Sequence, residues 1–258
     1  MDPAGSIWLS PRHIFGLASM APAPSTQLPP VAGYQAWRNL LFVHWRLPVE
    51  RVQATLPAGL QVETFGGDAW VGIVPFSMQR IRPWWFPPVP GISWFLETNL
   101  RTYVRHPSGQ TGVWFYSLDA NNRIAVWTAR TFWHLNYINA DLKIHENFDL
   151  LTYSGTRHDG SGGYHLALQC PNDSLTTAAD RSLEHFLLER YHLFTEHSGN
   201  ISCGQVHHPP YQFQQVPSLT ACDQTLTECA GLGTLDGPPA HIAWSPGVDV
   251  KVTGLQQI

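Results

Sequence analysis

Charge is what this chain of 258 residues has least of, since Asp, Glu, Lys and Arg together make up 13% of it, against a usual share of about 25%. Where charges are few, the position of each carries information. A formal charge of −4 and the lack of any Lys/Arg-rich run exclude the basic surface that nucleic acid or an anionic membrane would need. Long apolar runs are missing too: charges, prolines or polar residues interrupt every stretch before the ~20 residues of a membrane span. Cysteine is limited to Cys170, Cys203, Cys222 and Cys229 with no CxxC pair, so buried reduced thiols are expected rather than a disulfide framework. Residues 1–33 are rich in Pro, Ala and Ser but have no basic segment leading into a clean apolar core, which argues against a secretory signal. They read as a flexible leader, with Met20 as an alternative start, ahead of a soluble, cytoplasmic protein.

Recognisable cofactor motifs are also lacking. The thirteen histidines show no HxH or HExxH spacing, and the adjacent His207 and His208 would point to opposite faces of a strand, so no metal is implied. Ser117 has no GxSxG context. Gly160-Ser161-Gly162-Gly163 lacks the lysine and following helix of a phosphate loop and reads as a turn. No organic cofactor is indicated.

What the chain does have is bulky apolar area. Eleven Trp, twelve Phe and eight Tyr suffice for one substantial core, and we read residues 34–258 as a single domain. Short strands broken by Gly and Pro dominate it. Pro48 to Leu56 is expected as a helix. Leu60–Phe65 and Ala69–Met78, separated by Gly66-Gly67-Asp68, read as an antiparallel hairpin. Four prolines make Ile81–Gly91 a loop, and its Trp84-Trp85-Phe86 reads as core cover, with the cover of a pocket mouth or a partner contact as the alternative. The pair Ile92–Arg105 and Gly112–Leu118 forms a second hairpin about Pro107-Ser108-Gly109. A helix is predicted from a cap at Asp119-Ala120-Asn121 to about Trp133, then strands near Tyr137–His145, Phe148–Arg157 and Tyr164–Gln169. Leu183, Phe186, Leu187 and Arg190 mark an amphipathic helix over Ser182–Tyr191. Two more strands, a short helix near Thr220–Ala230 and a last strand near Ala240–Val252 complete a β-rich α+β fold. Closure into an antiparallel barrel would remove its exposed edges.

The most informative run is Phe95 to Val104, where the ionisable groups fall on every second residue. In a strand, Glu97, Asn99, Arg101 and Tyr103 share one face while Leu96, Thr98, Leu100 and Val104 share the other. A surface strand could carry such a row; so could the wall of a pocket. Glu97 and Arg101 would lie about 13 Å apart along a regular strand, too far to pair. They would hold opposite ends of a ligand, or separate partners such as Asp119 and Arg130. His44, before Trp45-Arg46 in an apolar segment, reads as a core histidine, with an inward acid/base group as the alternative.

The succession His44-Trp45-Arg46, Ala69-Trp70-Val71-Gly72 with Pro75-Phe76, Glu97 to Tyr103, Gly112 to Ala120, Ala129-Arg130 and His207-His208-Pro209-Pro210 resembles the YqjF-like family of uncharacterised bacterial proteins. That family is similar in fold to acetoacetate decarboxylase, which implies a closed or nearly closed antiparallel β-barrel around a small apolar cavity, with a few packing helices. In acetoacetate decarboxylase a lysine pair supplies the Schiff base. The similar segment here, Arg130 to Ile138, carries Tyr137 and Ile138 in place of that pair, and a phenol cannot form an imine. Lys143 is about 20 Å further along a regular strand and is expected at the surface.

Glu97 looks like the cavity acid of the decarboxylase and is the candidate catalytic residue. Arg101, Asn99, Tyr103, Asp119, Arg130 and Tyr137 are the candidate ligand-binding residues. The expected partner is a small organic acid or carbonyl compound, with a homo-oligomer left open. Two functions fit: a cavity that binds such a ligand, or a lyase- or isomerase-type enzyme using Glu97 as acid/base without a Schiff base.

Overall fold

The computed structural model describes residues 30–235 and 237–258, so the leader reading of residues 1–29 and the alternative start at Met20 lie outside them. Val31 and Gly33, at the end of the expected leader, already pair with Thr253 and Val252. In chain order the elements are β1 (Val31–Leu47), α1 (Val49–Gln53), β2 (Gln61–Val62), β3 (Ala69–Pro83), β4 (Phe95–Arg105), β5 (Thr111–Ala120), α2 (Arg123–Trp133), β6 (Tyr137–Asn147), β7 (Leu150–Arg157) and β8 (Gly163–Gln169). They continue as β9 (Thr176–Thr177), α3 (Leu183–Leu188), β10 (His192–His197), β11 (Asn200–His207), β12 (Gln212–Gln215), β13 (Ala221–Gln224), α4 (Leu226–Cys229), β14 (His241–Thr253) and β15 (Gln256–Gln257). No described helix is long and apolar enough to cross a membrane.

Strand pairings run in a ring: β4 to β5, β5 to β10, β10 to β11, β11 to β14, β14 to β1, β1 to β3, and β3 back to β4. All are antiparallel except β5–β10. From β5 a second branch, β6-β7-β8-β13, continues the sheet, with β6 parallel to β5. The helix α2 makes that parallel connection. Its cap is Asn122, whose side chain accepts from the Ile124 and Ala125 amides at 3.1 and 3.1 Å, one residue beyond the expected cap.

The central strands bury both faces, and so divide the core in two. Leu40 and Phe42 of β1 join Val74, Phe76 and Met78 of β3 in one cluster. Leu41, Val43 and Trp45 join Val71 and Ile73 with residues of β6, β7 and β8 in the other. Alternation in β4 follows the same division, with Tyr103 in the first cluster and Leu100 in the second.

Three expectations need correction. The first hairpin does not form, since β2 pairs with β4 through Gln61↔Arg105 and Val62↔Val104. Only Phe65 and Asp68 bridge across the glycine turn, because β3 already has β1 on one edge and β4 on the other. Trp84 and Trp85 are 63% and 66% exposed, so they do not cover the core. Of the four free cysteines only Cys203 is buried.

Candidate functional site

A cavity of about 480 Å³ lies against the first core cluster, and Glu97, Asn99 and Arg101 of β4 line one wall. They are 3%, 8% and 9% exposed, which excludes the surface-strand reading of the polar row. Most of the remaining lining is apolar, including Leu40, Val74, Met78 and Leu188. Phe86, Val89 and Ile92 of the proline loop and Ala125 and Ala129 of α2 also line it. Asn122 ties these two segments together by donating to the carbonyls of Gly91 and Ile92.

The Glu97 carboxyl accepts a 2.9 Å hydrogen bond from the Tyr137 hydroxyl through Oε2. Burial pushes its pKa from 4.5 to about 8; the Tyr137 bond works in the opposite direction, and the charge of Asp119 adds a smaller upward push. The group is therefore largely a neutral acid at pH 7. Burial, and then the neighbouring Glu97, hold the Tyr137 phenol well above its usual range, so it stays a donor.

Arg101 presents the opposite chemistry. Its Nη2 donates to the Leu187 carbonyl at 2.8 Å and to the Tyr103 hydroxyl at 3.3 Å, while Nε has no partner. Among the described residues no carboxylate forms an ion pair with it. Beyond those two neutral acceptors, its charge is faced by the Phe42 and Tyr103 rings, both 5.6 Å from the guanidinium carbon. A buried cation so lightly compensated is costly to hold, and its free Nε can still donate to an oxygen acceptor. Between the two ends the Asn99 amide makes no hydrogen bond through Oδ1.

Tyr103 does not line the cavity; it stands behind Arg101. Its hydroxyl lies 2.9 Å from the Leu187 carbonyl and 2.8 Å from His44 Nε2, and His44 Nδ1 lies 3.1 Å from His241 Nδ1. Arg101 can only donate and the Leu187 carbonyl can only accept. Tyr103 therefore gives its proton to Leu187, His44 donates from Nε2, and His241 donates from Nδ1 to His44. Burial first, then His241 and Arg101, lower the His44 pKa well below its usual range. Burial takes His241 down to about 4, so the pair is neutral. A side chain on Gly72 would occupy the place of this ring: its Cβ would lie 2.5 Å from His44 Cδ2.

Besides Tyr103, two expected binding residues lie outside the cavity lining. β4 and β5 fall out of step at Leu100↔Ser117 and Arg101↔Phe115, leaving Tyr116 as an extra residue. This bulge reverses which side chains of β5 face inward: Val113 and Phe115 line the cavity before it and Leu118 after it. Asp119, opposite Thr98, consequently faces away. There it accepts from Arg157 at 2.7 and 3.0 Å, a buried fork that also reaches Ser117 at 2.6 Å. Arg130 is exposed and donates to the Tyr137 carbonyl at 2.6 Å, joining α2 to β6. Tyr137 itself does line the cavity. Lys143 is exposed, and no lysine is among the described lining residues.

Arg190 was missed as a cavity residue because the amphipathic pattern assigns it to a helix that ends at Leu188. It lines the cavity and pairs with Glu63 at 2.6 Å. The signal available was an arginine following two leucines on the apolar side. His207 and His208 line a polar groove with Arg80, Arg82 and Lys251, and it shares Tyr34, Gln35 and Arg82 with the cavity. No three metal-binding side chains converge among the described residues.

Comparison with known proteins agrees with this architecture. The chain is similar over 92% of its length, with a TM-score of 0.60 and 16% identity, to 99% of an acetoacetate decarboxylase-like enzyme from Sphingomonas wittichii RW1. It is similar over 97% of its length, with a TM-score of 0.63 and 12% identity, to 98% of acetoacetate decarboxylase from Legionella pneumophila. A third structure, the enduracididine biosynthesis enzyme MppR complexed with pyruvate, gives a TM-score of 0.60 at 10% identity over 90% of this chain and 91% of that one. Likeness at such identities establishes a shared fold. In sequence, the uncharacterized protein YqjF of Bacillus subtilis strain 168 is 36% identical over 206 residues, 80% of this chain and 84% of that protein. The profile of DUF2071, described as an uncharacterized conserved protein, matches residues 34–249. With a profile spanning most of its length and a relative this similar, the chain belongs to the DUF2071 family, whose members include YqjF-like proteins.

Proposed function

We propose that the chain binds a small organic acid or carbonyl compound in this cavity, in the cytoplasm and without a nucleic-acid or membrane partner. The observation that carries the reading is Arg101, a buried guanidinium with an unpartnered Nε and no carboxylate partner among the described residues. A ligand carboxylate would supply the missing charge and an acceptor for the fork. Neutral Glu97 and the Tyr137 phenol would donate to, or exchange hydrogen bonds with, an oxygen further along the ligand. The ring of strand pairings supports a closed barrel around this site. Pyruvate in the structure of MppR is a small keto acid of the kind proposed.

A second reading, a lyase- or isomerase-type enzyme, is favoured by the Glu97 pKa of about 8, close to the working pH that suits a general acid or base. Enolisation, hydration or dehydration would suit it, because none needs an amine nucleophile. A thermal-shift screen of small carboxylic acids and ketones tests binding. A ligand at 100 times its Kd should raise Tm by roughly 5–10 °C, and Arg101→Gln should abolish the shift for acids. No stabilisation by any ligand, or an equal response in Arg101→Gln, overturns the proposal.

A further inference from the structure

We infer that the ligand of this cavity is an amphiphilic monocarboxylate, with its carboxylate on Arg101 and an apolar chain running toward the proline loop and α2. This rests on the acid-binding reading and adds the class of acid. Size comes first. At about 30 Å³ per water molecule, a volume of about 480 Å³ holds roughly sixteen such units. A four-carbon keto acid has only seven non-hydrogen atoms and would fill less than half of it, even at a full water volume each. The unfilled part could not be left to water at low cost, because Leu40, Val74, Met78, Phe95, Leu188 and Val206 line it and offer no hydrogen bonds. Empty space against those side chains forfeits their contacts.

Polarity is arranged to match. Glu97, Asn99 and Arg101 occupy alternate positions of one strand and form a polar strip along its wall, with Tyr137 beside Glu97; Gln35, Arg82, Ser93, Thr128, Arg190 and His192 add single polar groups elsewhere in a lining that is otherwise mostly apolar. Apolar residues of β1, β3 and α2 also line the cavity. Arg101, held by the Leu187 carbonyl and Tyr103, lies toward α3. Phe86, Ile92, Ala125 and Ala129 belong to the loop and helix that precede β4 and follow β5. A chain of roughly 8 to 14 carbons, packed at somewhat under liquid density, would bridge the two ends.

Calorimetric titration with straight-chain saturated monocarboxylates from two to fourteen carbons, each below its micellar concentration, tests the inference. Kd should fall about fourfold per added methylene and level off once the cavity is full. Ala129→Trp, which takes up space at the α2 end, should move that plateau to shorter acids. Primary alcohols of the same length should bind at least tenfold more weakly, and Arg101→Gln should remove that preference. If two- to four-carbon acids bind as tightly as long ones and depend on Arg101, the chain-length inference is wrong and acid binding stands. Long acids and alcohols binding equally, with Arg101→Gln indifferent, would overturn both readings. Failure of every acid to bind would do the same.

Discussion

Replacing Glu97 by Gln should stabilise the protein at neutral pH and remove a pH dependence that the wild type shows. In the folded chain the carboxyl titrates at about 8, against 4.5 when free of its surroundings. Between those values the folded state holds a proton that the unfolded state has released, so the folded state loses stability as pH rises, by about 1.4 kcal/mol per pH unit. The full span corresponds to on the order of 5 kcal/mol as a ceiling. The useful window is pH 6.5 to 8, because below it the neutral histidine pair contributes the opposite slope. His44 and His241 have lowered pKa values, so their contribution is present above about 6.5 and is lost as pH falls toward 4. Integrated over pH 6.5 to 8, Glu97 should cost the wild type roughly 1.6 kcal/mol. Gln is shaped like the neutral acid and can still accept from Tyr137, yet it cannot ionise. Urea unfolding of both proteins at half-unit steps should show their stabilities diverging toward pH 8, with the Glu97→Gln variant lacking the wild-type slope. Parallel curves would mean that Glu97 is already ionised in the fold, and the argument from burial would be wrong.

Other outcomes follow from the same geometry. Arg157→Leu leaves the buried Asp119 carboxylate without its fork and should cost about 3–5 kcal/mol in urea unfolding. Because Asp119 faces away from the cavity, the folded variant should bind acids with unchanged Kd. Gly72→Ala places a Cβ 2.5 Å from the His44 ring and should cost about 1–3 kcal/mol. A double-mutant cycle with His44→Ala should recover part of that; strict additivity would argue against the contact. Borohydride treatment in the presence of a β-keto acid should leave no adduct by mass spectrometry, since no lysine is among the described lining residues, and a labelled Lys143 would refute this.

The polar row was legible because a strand alternates strictly, and Glu97, Asn99 and Arg101 do share the cavity wall. Most element positions could be read from Gly and Pro punctuation for the same local reason. The positions of Asp119 and β2 could not, because both depend on pairing partners remote in sequence. A bulge at Tyr116 reverses the later part of β5, and nothing in the composition of that segment announces it. The link from Arg101 through Tyr103 to His44 and His241 joins residues from three strands, and only the folded chain shows it. Fold likeness points to a lysine chemistry, and the identity of residue 137 alone argues against it.

Gly72 and His44 face each other across the pairing of β1 with β3, one supplying a vacancy and the other the ring that fills it. Such a pair constrains how the family can diverge. A relative with a side chain at position 72 is expected to have shifted or given up the imidazole at 44, and with it the support behind Arg101. Aligned relatives should therefore show the two positions changing together, and those that have lost both should differ in what their cavities hold.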